Sequence, residues 1–244
     1  MIRAIAKKLF NSLPPFVQHL LTQIEPRFLN HIDLHKLLDY NFAELSFIQV
    51  GANDGVSFDN LFDYLQKTKI KNGIVIEPIP EYFQELQNNY SQFKNVKCLN
   101  YALHPTDNEV TLYKVDTQNL NLLPEWSKGI ASILPGHHSQ LGIPTEYIIP
   151  EKVKCINFKK LFDKYADSSN HFNLLQIDTE GFDAEIIKMI DFKTIYFDVI
   201  KFESINLSEQ DLSNTINLLL SSNYTIAKGY DAIAINKKIK IILK

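Results

Sequence analysis

Short apolar runs alternate with amphipathic stretches along most of the chain. Leu45 to Val50, Gly73 to Glu77, Val96 to Tyr101, Phe172 to Asp178 and Phe197 to Glu203 each read as a buried strand. Ser57 to Gln66 places Phe58, Leu61, Phe62 and Leu65 at helical spacing. Pro80 suits the first turn of a helix over Glu81 to Tyr90, because its missing N–H would be unpaired there anyway. Ile32 to Tyr40 and Phe158 to Tyr165 read as further helices. Asp183 reads as the N-cap of a helix through Met189, and Ser208 as the N-cap of one reaching Leu220, with Asp211 completing a capping-box-like start. Glu109 to Val115 and Tyr147 to Ile156 have strand character, and Tyr224 to Ala227 with Ala232 to Ile235 predict a closing hairpin. Strands alternating with helices predict an α/β, mostly parallel sheet with right-handed crossovers. The rhythm breaks over Asp116 to Pro144, a long segment with Trp126 and the pair His137-His138, which reads as a lid or binding loop.

Composition narrows the class without naming the chemistry. The chain has 244 residues, 45% hydrophobic, enough for one large α/β domain, residues 45–244, preceded by a helical extension over 1–44. Net charge is -3, so no nucleic-acid partner is expected. Cys98 and Cys155 lie far apart in apolar contexts and read as buried thiols of a reducing, cytoplasmic protein. No apolar stretch has the length of a membrane span. Arg3, Lys7 and Lys8 resemble a signal-peptide start, but Asn11, Ser12 and Pro14-Pro15 interrupt the apolar run, so no signal peptide is expected. The N-terminus reads as short amphipathic helices, Ile2, Ile5, Ala6 and Leu9 on one face, then Phe16, Val17, Leu20, Leu21 and Ile24. Packing on the core or on a second copy is the first expectation for them; contact with the inner face of a membrane through the basic side chains is the second.

The chemistry concentrates at strand ends. The first buried run leads into Gly51-Ala52-Asn53-Asp54-Gly55, where glycines let a ligand approach the backbone and Asn53 and Asp54 supply polar groups. The next run ends in Glu77-Pro78, a carboxylate placed to accept two ribose hydroxyls or, more plainly, to cap the following helix. The turn lacks the GxGxxG spacing of a dinucleotide site, which suits an adenosine cofactor without phosphates. Further along, Asp178 ends a third buried run and Glu203 a fourth, at the carboxyl ends where open α/β sheets bind ligands. Lys201 shares a strand face with Glu203, and a structural pair of Lys201 with a carboxylate is the plain reading. Asp178, Glu203, His137 and His138 are the candidate general bases. Asp178, Glu180, Asp183 and Glu203 could together hold a divalent cation, although Asp183 also suits a cap and Glu180 solvent.

VGANDG, IEP, Asn100-Tyr101-Ala102-Leu103 leading to the Glu109–Tyr113 run, LLQIDTEGFDAEII and VIKFE, in that order, resemble the FkbM family of S-adenosylmethionine-dependent methyltransferases over roughly Leu45 to Ile205. The resemblance implies a Rossmann-like class I methyltransferase fold, a seven-stranded sheet closed by an antiparallel C-terminal hairpin. It implies methyl transfer to a hydroxyl of a sugar, a glycoconjugate or a small natural product. By the same resemblance the Gly51–Gly55 turn, Ala52 included, lies under the methionine part of the cofactor. Glu77 with Pro78 takes the ribose, Asn100 and Ala102 border the adenine, and Asp178 stands beside the cofactor's amino end and the acceptor. Many members carry Asp where this chain has Gln49, so weaker attraction for a cationic cofactor is expected here. Two other readings stand beside this one: a catalytically silent Rossmann-like module that binds a nucleotide or a partner, and a glycosyltransferase using a nucleotide sugar. A homo-oligomer joined through the N-terminal helices is a further expectation.

Overall fold

In the computed structural model, residues 28–29, 32–105, 108–166, 169–228 and 231–239 are described. The strands among them are β1 (Phe28–Leu29), β2 (Leu45–Val50), β3 (Ile70–Ile76), β4 (Val96–Leu99), β5 (Ala102–Leu103), β6 (Glu109–Val115), β7 (Ala131–Ser132), β8 (Ile148–Ile156), β9 (His171–Ile177), β10 (Tyr196–Glu203), β11 (Tyr224–Lys228) and β12 (Asp231–Asn236). The buried runs form one sheet in the order β1-β11-β12-β10-β9-β2-β3-β4. β4, β3, β2, β9 and β10 are mutually parallel, and β12 is antiparallel to both β10 and β11. Leaving aside the two-residue β1, this is the seven-stranded sheet with a reversed C-terminal strand that the family resemblance implies.

The apolar runs become strands because both faces are covered. All six residues of β2 are buried. Ile48 and Val50 join Ile74, Ile76, Leu175 and Phe197 on one face, while Phe47 joins Val75, Leu174 and Val199 on the other. Each such side chain contributes roughly 1.5–3 kcal/mol on burial, so slipping β2 by one residue would forfeit several contacts at once. Helix Leu34–Asn41, capped by Asp33 through the Lys36 amide, lays Leu37 and Leu38 on the second face. Successive connections leave β2 toward β3 on one side, while β9 pairs on its other side. The carboxyl ends of β2 and β9 therefore flank a point where the winding reverses, the place where such sheets bind ligands.

Some boundaries differ from the pattern, each for a local reason. The helix expected over Ser57 to Gln66 is confined to Leu61–Leu65. Asp54 holds the Val56 and Ser57 amides in a turn, and Phe58 adopts φ 61 with 63% of its surface exposed, so it is no part of the helical stripe. Asp183 is the first residue of helix Asp183–Lys188 and not its N-cap. Its carboxylate accepts from Thr179 and from the Glu203 amide, tying the turn after β9 to the tip of β10. β5, β6, β7 and β8 form a separate four-stranded sheet over Ile79, Tyr82, Leu112 and Val153. Helix Pro80–Tyr90 starts with Pro80, and helix Glu209–Ser221 is capped by Ser208, as expected. The N-terminal amphipathic helices, with Arg3, Lys7 and Lys8, lie outside the described residues. No helix among the described residues is long and apolar enough to cross a membrane.

Candidate functional site

A cavity of about 860 Å³ opens along the carboxyl ends of β3, β2, β9 and β10. That volume lies within the roughly 300–1,000 Å³ usual for small-molecule and cofactor sites. Gln49, Gly51, Ala52, Asn53, Glu77, Pro78, Ala102, Asp178, Glu180 and Glu203 all line it.

The glycine turn is shaped by close backbone contact. Gly51 has φ 77, and a Cβ there would lie 1.7 Å from the carbonyl oxygen of Asp178. No other residue fits where the tips of β2 and β9 converge. Gly51 and Ala52 donate to the Ile76 carbonyl, and Asn53, at φ 50, donates its amide to Glu77 Oε2 at 2.8 Å. Glu77 Oε1 accepts from the amide of Ile79, the residue before helix Pro80–Tyr90, at 2.8 Å, so the carboxylate is fixed to its own loop and faces the cavity; it does not cap the helix. Burial pushes the Glu77 carboxyl up to about 7, against the two amides, with the charges of Glu81 and Asp54 adding to the rise. Asn53 Oδ1 is buried without a hydrogen-bond partner, its side-chain amide packed against Gly129.

Three residues expected at this end stand behind the lining. Asp54 turns inward, holding Val56, Ser57 and Lys128. Gly55, at φ 79, packs against Leu86 and Tyr90. Asn100 donates to the carbonyls of Glu77 and Pro78 and so fixes the loop that presents Glu77. Gln49 donates to Asp59 Oδ2 at 2.5 Å, and Gln176 of β9 donates to the same oxygen at 2.9 Å. Asp59 lines the cavity, and no helical or strand periodicity marks it in the sequence.

At the β9–β10 end the polar groups are like-charged. Asp178 is exposed to the open cavity, and its carboxyl is pushed well up, first by the protein packed around it, which displaces bulk water, and then by the charges of Glu203, Asp183 and Glu180. Burial, with Glu180 and Asp183, raises Glu203 to about 7, and burial raises Asp183 to about 6. The Asn206 amide donates to both Glu180 Oε2 and Glu203 Oε2 at 3.0 Å, bridging the two carboxylates. Lys201 pairs with Asp231 at 3.1 Å and not with Glu203.

The segment Asp116 to Pro144 is a packed roof. Short 3-10 turns, β7 and helix His137–Gln140 organise it around Val115, Ile130 and Ile143. Lys128 anchors it to Asp54 and Glu85, and Ser132 anchors it to the Glu180 carbonyl. His137 and His138, expected as a solvated pair or as lid bases, are 4% and 1% exposed and do not line the cavity. Apolar packing around helix His137–Gln140 buries them. His137 Nε2 meets Glu180 Oε2 at 2.9 Å, and burial lowers the affinity of His138 for a proton. Among the described residues no group of three or more His, Cys, Asp or Glu side chains is placed to hold a metal ion, Asp178, Glu180, Asp183 and Glu203 included. Asp183 is committed to Thr179 and the Glu203 amide, and Glu180 and Glu203 to Asn206, with His137 also on Glu180.

The closed approach at Gly51, the carboxylate of Glu77 and the cavity volume fit a cofactor with a ribose and an amino-acid end. Residues 49–226 match the family model of the methyltransferase FkbM domain. Among solved structures, the methyltransferase FkbM from Methylobacillus flagellatus KT is 15% identical with a TM-score of 0.45, over 79% of this chain and 44% of that one. The precorrin-6y C5,15-methyltransferase from Geobacter metallireducens GS-15 is 11% identical with a TM-score of 0.44, over 87% of this chain and 95% of that one. The ribosomal protein L11 methylase from Lactobacillus delbrueckii subsp. bulgaricus is 12% identical with a TM-score of 0.39, over 82% and 73% respectively. No curated protein matches the chain in sequence.

Proposed function

Because this chain belongs to the FkbM methyltransferase family and is therefore an S-adenosylmethionine-dependent methyltransferase, we propose that it methylates a hydroxyl oxygen of a saccharide or glycoconjugate, with Glu203 taking the proton. The observation that carries this reading is the Glu203 carboxyl itself. It lines the cavity at the tip of β10, and its raised value of about 7 suits a group that must gain and lose a proton near neutrality. A sugar hydroxyl needs such help, whereas a neutral amine can attack through a free electron pair.

When bound, the cofactor supplies a methyl carbon on a positively charged sulfur, which takes back the carbon–sulfur electron pair as the acceptor oxygen bonds to that carbon. The chain's own residues do the rest. Gly51 and Asn53 shape the floor, Glu77 takes the ribose hydroxyls, and Pro78 and Ala102 line the cavity beside it. Glu203 accepts the hydroxyl proton, and the Asn206 amide holds its carboxylate in place. Glu180 and Asp183, nearby, add negative charge that raises the basicity of Glu203. Polar side chains at this end and exposed aromatic surface on Trp126 and Phe58 along the cavity suit a polyol, which offers hydroxyls on its edges and C–H groups on its faces.

The test is transfer of labelled methyl from S-adenosylmethionine to a panel of saccharides, with amine and carboxylate acceptors alongside. Label in an alkali-stable ether linkage on a sugar is expected. Label found in amines or carboxylates alone would overturn the assignment.

A further inference from the structure

Asp59 is a charged side chain in an unusual setting. Its Oδ1 accepts from the Leu61 amide at 2.9 Å, which is all that a short helix start requires. Its Oδ2 is gripped separately by Gln49 at 2.5 Å and Gln176 at 2.9 Å. Those two glutamines are directly paired across β2 and β9 and are 2% and 4% exposed. The Tyr90 hydroxyl donates to Gln49 Oε1, which orients the amide so that its NH2 faces Asp59. Two buried amides from adjacent strand tips are thus dedicated to one carboxylate oxygen. None of the ion pairs among the described residues includes Asp59. Neutral donors hold a carboxylate in place but leave its charge uncompensated, and a partly buried charge of this kind calls for a cation. The opening in front of it is the cavity.

Position identifies the cation. Gln49 lies two residues before Gly51, and Gln176 likewise two before Asp178; Gly51 and Asp178 meet in backbone contact. Asp59 therefore lies beneath the junction of the β2 and β9 tips, while Glu77 stands at the β3 side of the same turn. A cofactor with its ribose on Glu77 extends its amino-acid end toward that junction. We infer that Asp59 is the carboxylate that receives the ammonium group of the cofactor's methionine end, supplying from the loop after β2 the charge that Gln49 lacks. The lower attraction expected from Gln49 is thereby made good by a residue ten positions further along the chain. The inference rests on the methyltransferase reading of the cavity.

Calorimetric titration with S-adenosylhomocysteine and with 5′-methylthioadenosine, which keeps the adenosine and lacks the amino-acid end, separates the possibilities. Asp59→Asn should weaken S-adenosylhomocysteine at least about tenfold, the range of a hydrogen bond to a charged group, and leave methylthioadenosine within about twofold. Gln49→Asp in the Asp59→Asn background should restore affinity for S-adenosylhomocysteine, because it returns a carboxylate to the same junction. Unchanged affinity of Asp59→Asn for S-adenosylhomocysteine would overturn the assignment. An equal loss for both ligands would also overturn it, since that is what a merely structural cap produces. Failure of the wild-type protein to bind either ligand would remove the cofactor reading itself and this assignment with it.

Discussion

At the β3 side of the cavity, Glu77 has an amide donor on each carboxylate oxygen, whereas at the β9–β10 side Glu180 and Glu203 share the single amide of Asn206 beside Asp178. Both ends hold carboxyls shifted upward chiefly by burial, but the next largest influences differ: amide donors at Glu77, neighbouring carboxylates at Glu203. Glu77 is raised chiefly by burial and is held by partners that favour its charged form. Glu203 is raised by burial together with Glu180 and Asp183, which oppose its charged form. One end is fixed in geometry before any ligand arrives, as binding requires. The other stores repulsion that a proton relieves, as base chemistry requires. The difference teaches that a shifted carboxyl is informative only once its cause is known.

The largest effect should come from the seam between the two ends. Gly51→Ala puts a Cβ 1.7 Å from the Asp178 carbonyl at a φ of 77. Left-handed strain and overpacking together cost about 2–5 kcal/mol. The expected outcome is loss of S-adenosylhomocysteine binding and a large fall in Tm. Wild-type affinity in this variant would show that the two strand tips are not in register as described. Next in size is Glu203→Gln, which should lower kcat roughly 10²- to 10⁴-fold, the usual worth of a general base, while affinity for S-adenosylhomocysteine stays unchanged. In the wild-type protein kcat should rise with pH through about 7, as Glu203 loses its proton, and this acid limb should vanish in the variant. A limb that persists in Glu203→Gln would transfer the proton to Asp178.

The fixed end was the more legible from sequence. Gly51, Asn53 and Glu77 lie on an unbroken path from one buried strand to the next, so periodicity alone places them. The hairpin Tyr224–Lys228 and Asp231–Asn236 was legible for the same reason. What the pattern missed depends on contacts between distant segments. Asp59 follows a turn that Asp54 forces, so the apparent helical stripe through Phe58 misled. Asn206 and Gln176 carry no periodic signal, and their importance comes from where their amides point. The four-stranded sheet of β5 to β8 pairs residues such as Glu109 and Lys154 across many intervening positions. The sequence presents His137-His138 as a solvated pair or as lid bases, because the packing of Ile130 and Ile143 around that segment has no short-range signature.

The smallest expected effect is on stability, and it has opposite signs at the two ends. A carboxyl whose folded pKa exceeds its unfolded value binds its proton more tightly in the native chain. For Glu203 the contribution is neutral below roughly pH 4, where both states are protonated, and turns destabilising as pH rises toward and through the folded value of about 7. Replacing it with Gln removes that penalty. Discounted for its partial exposure, the gain is about 1 kcal/mol at pH 8, or roughly 2–4 °C in Tm for a chain of this size. At pH 4 the gain should be absent. Glu77→Gln should behave otherwise, because Gln offers one oxygen and turns an NH2 against the amide of Asn53 or Ile79. Its Tm should fall at pH 4 and fall less at pH 8, because the Glu77 carboxyl, also raised to about 7, carries at pH 8 the same penalty that Gln removes. Thermal melts of the two variants without ligand at pH 4 and pH 8 decide the matter. Equal shifts of the same sign would mean that Glu203, like Glu77, is held by its partners, and the assignment of Glu203 as the proton acceptor would lose its electrostatic basis.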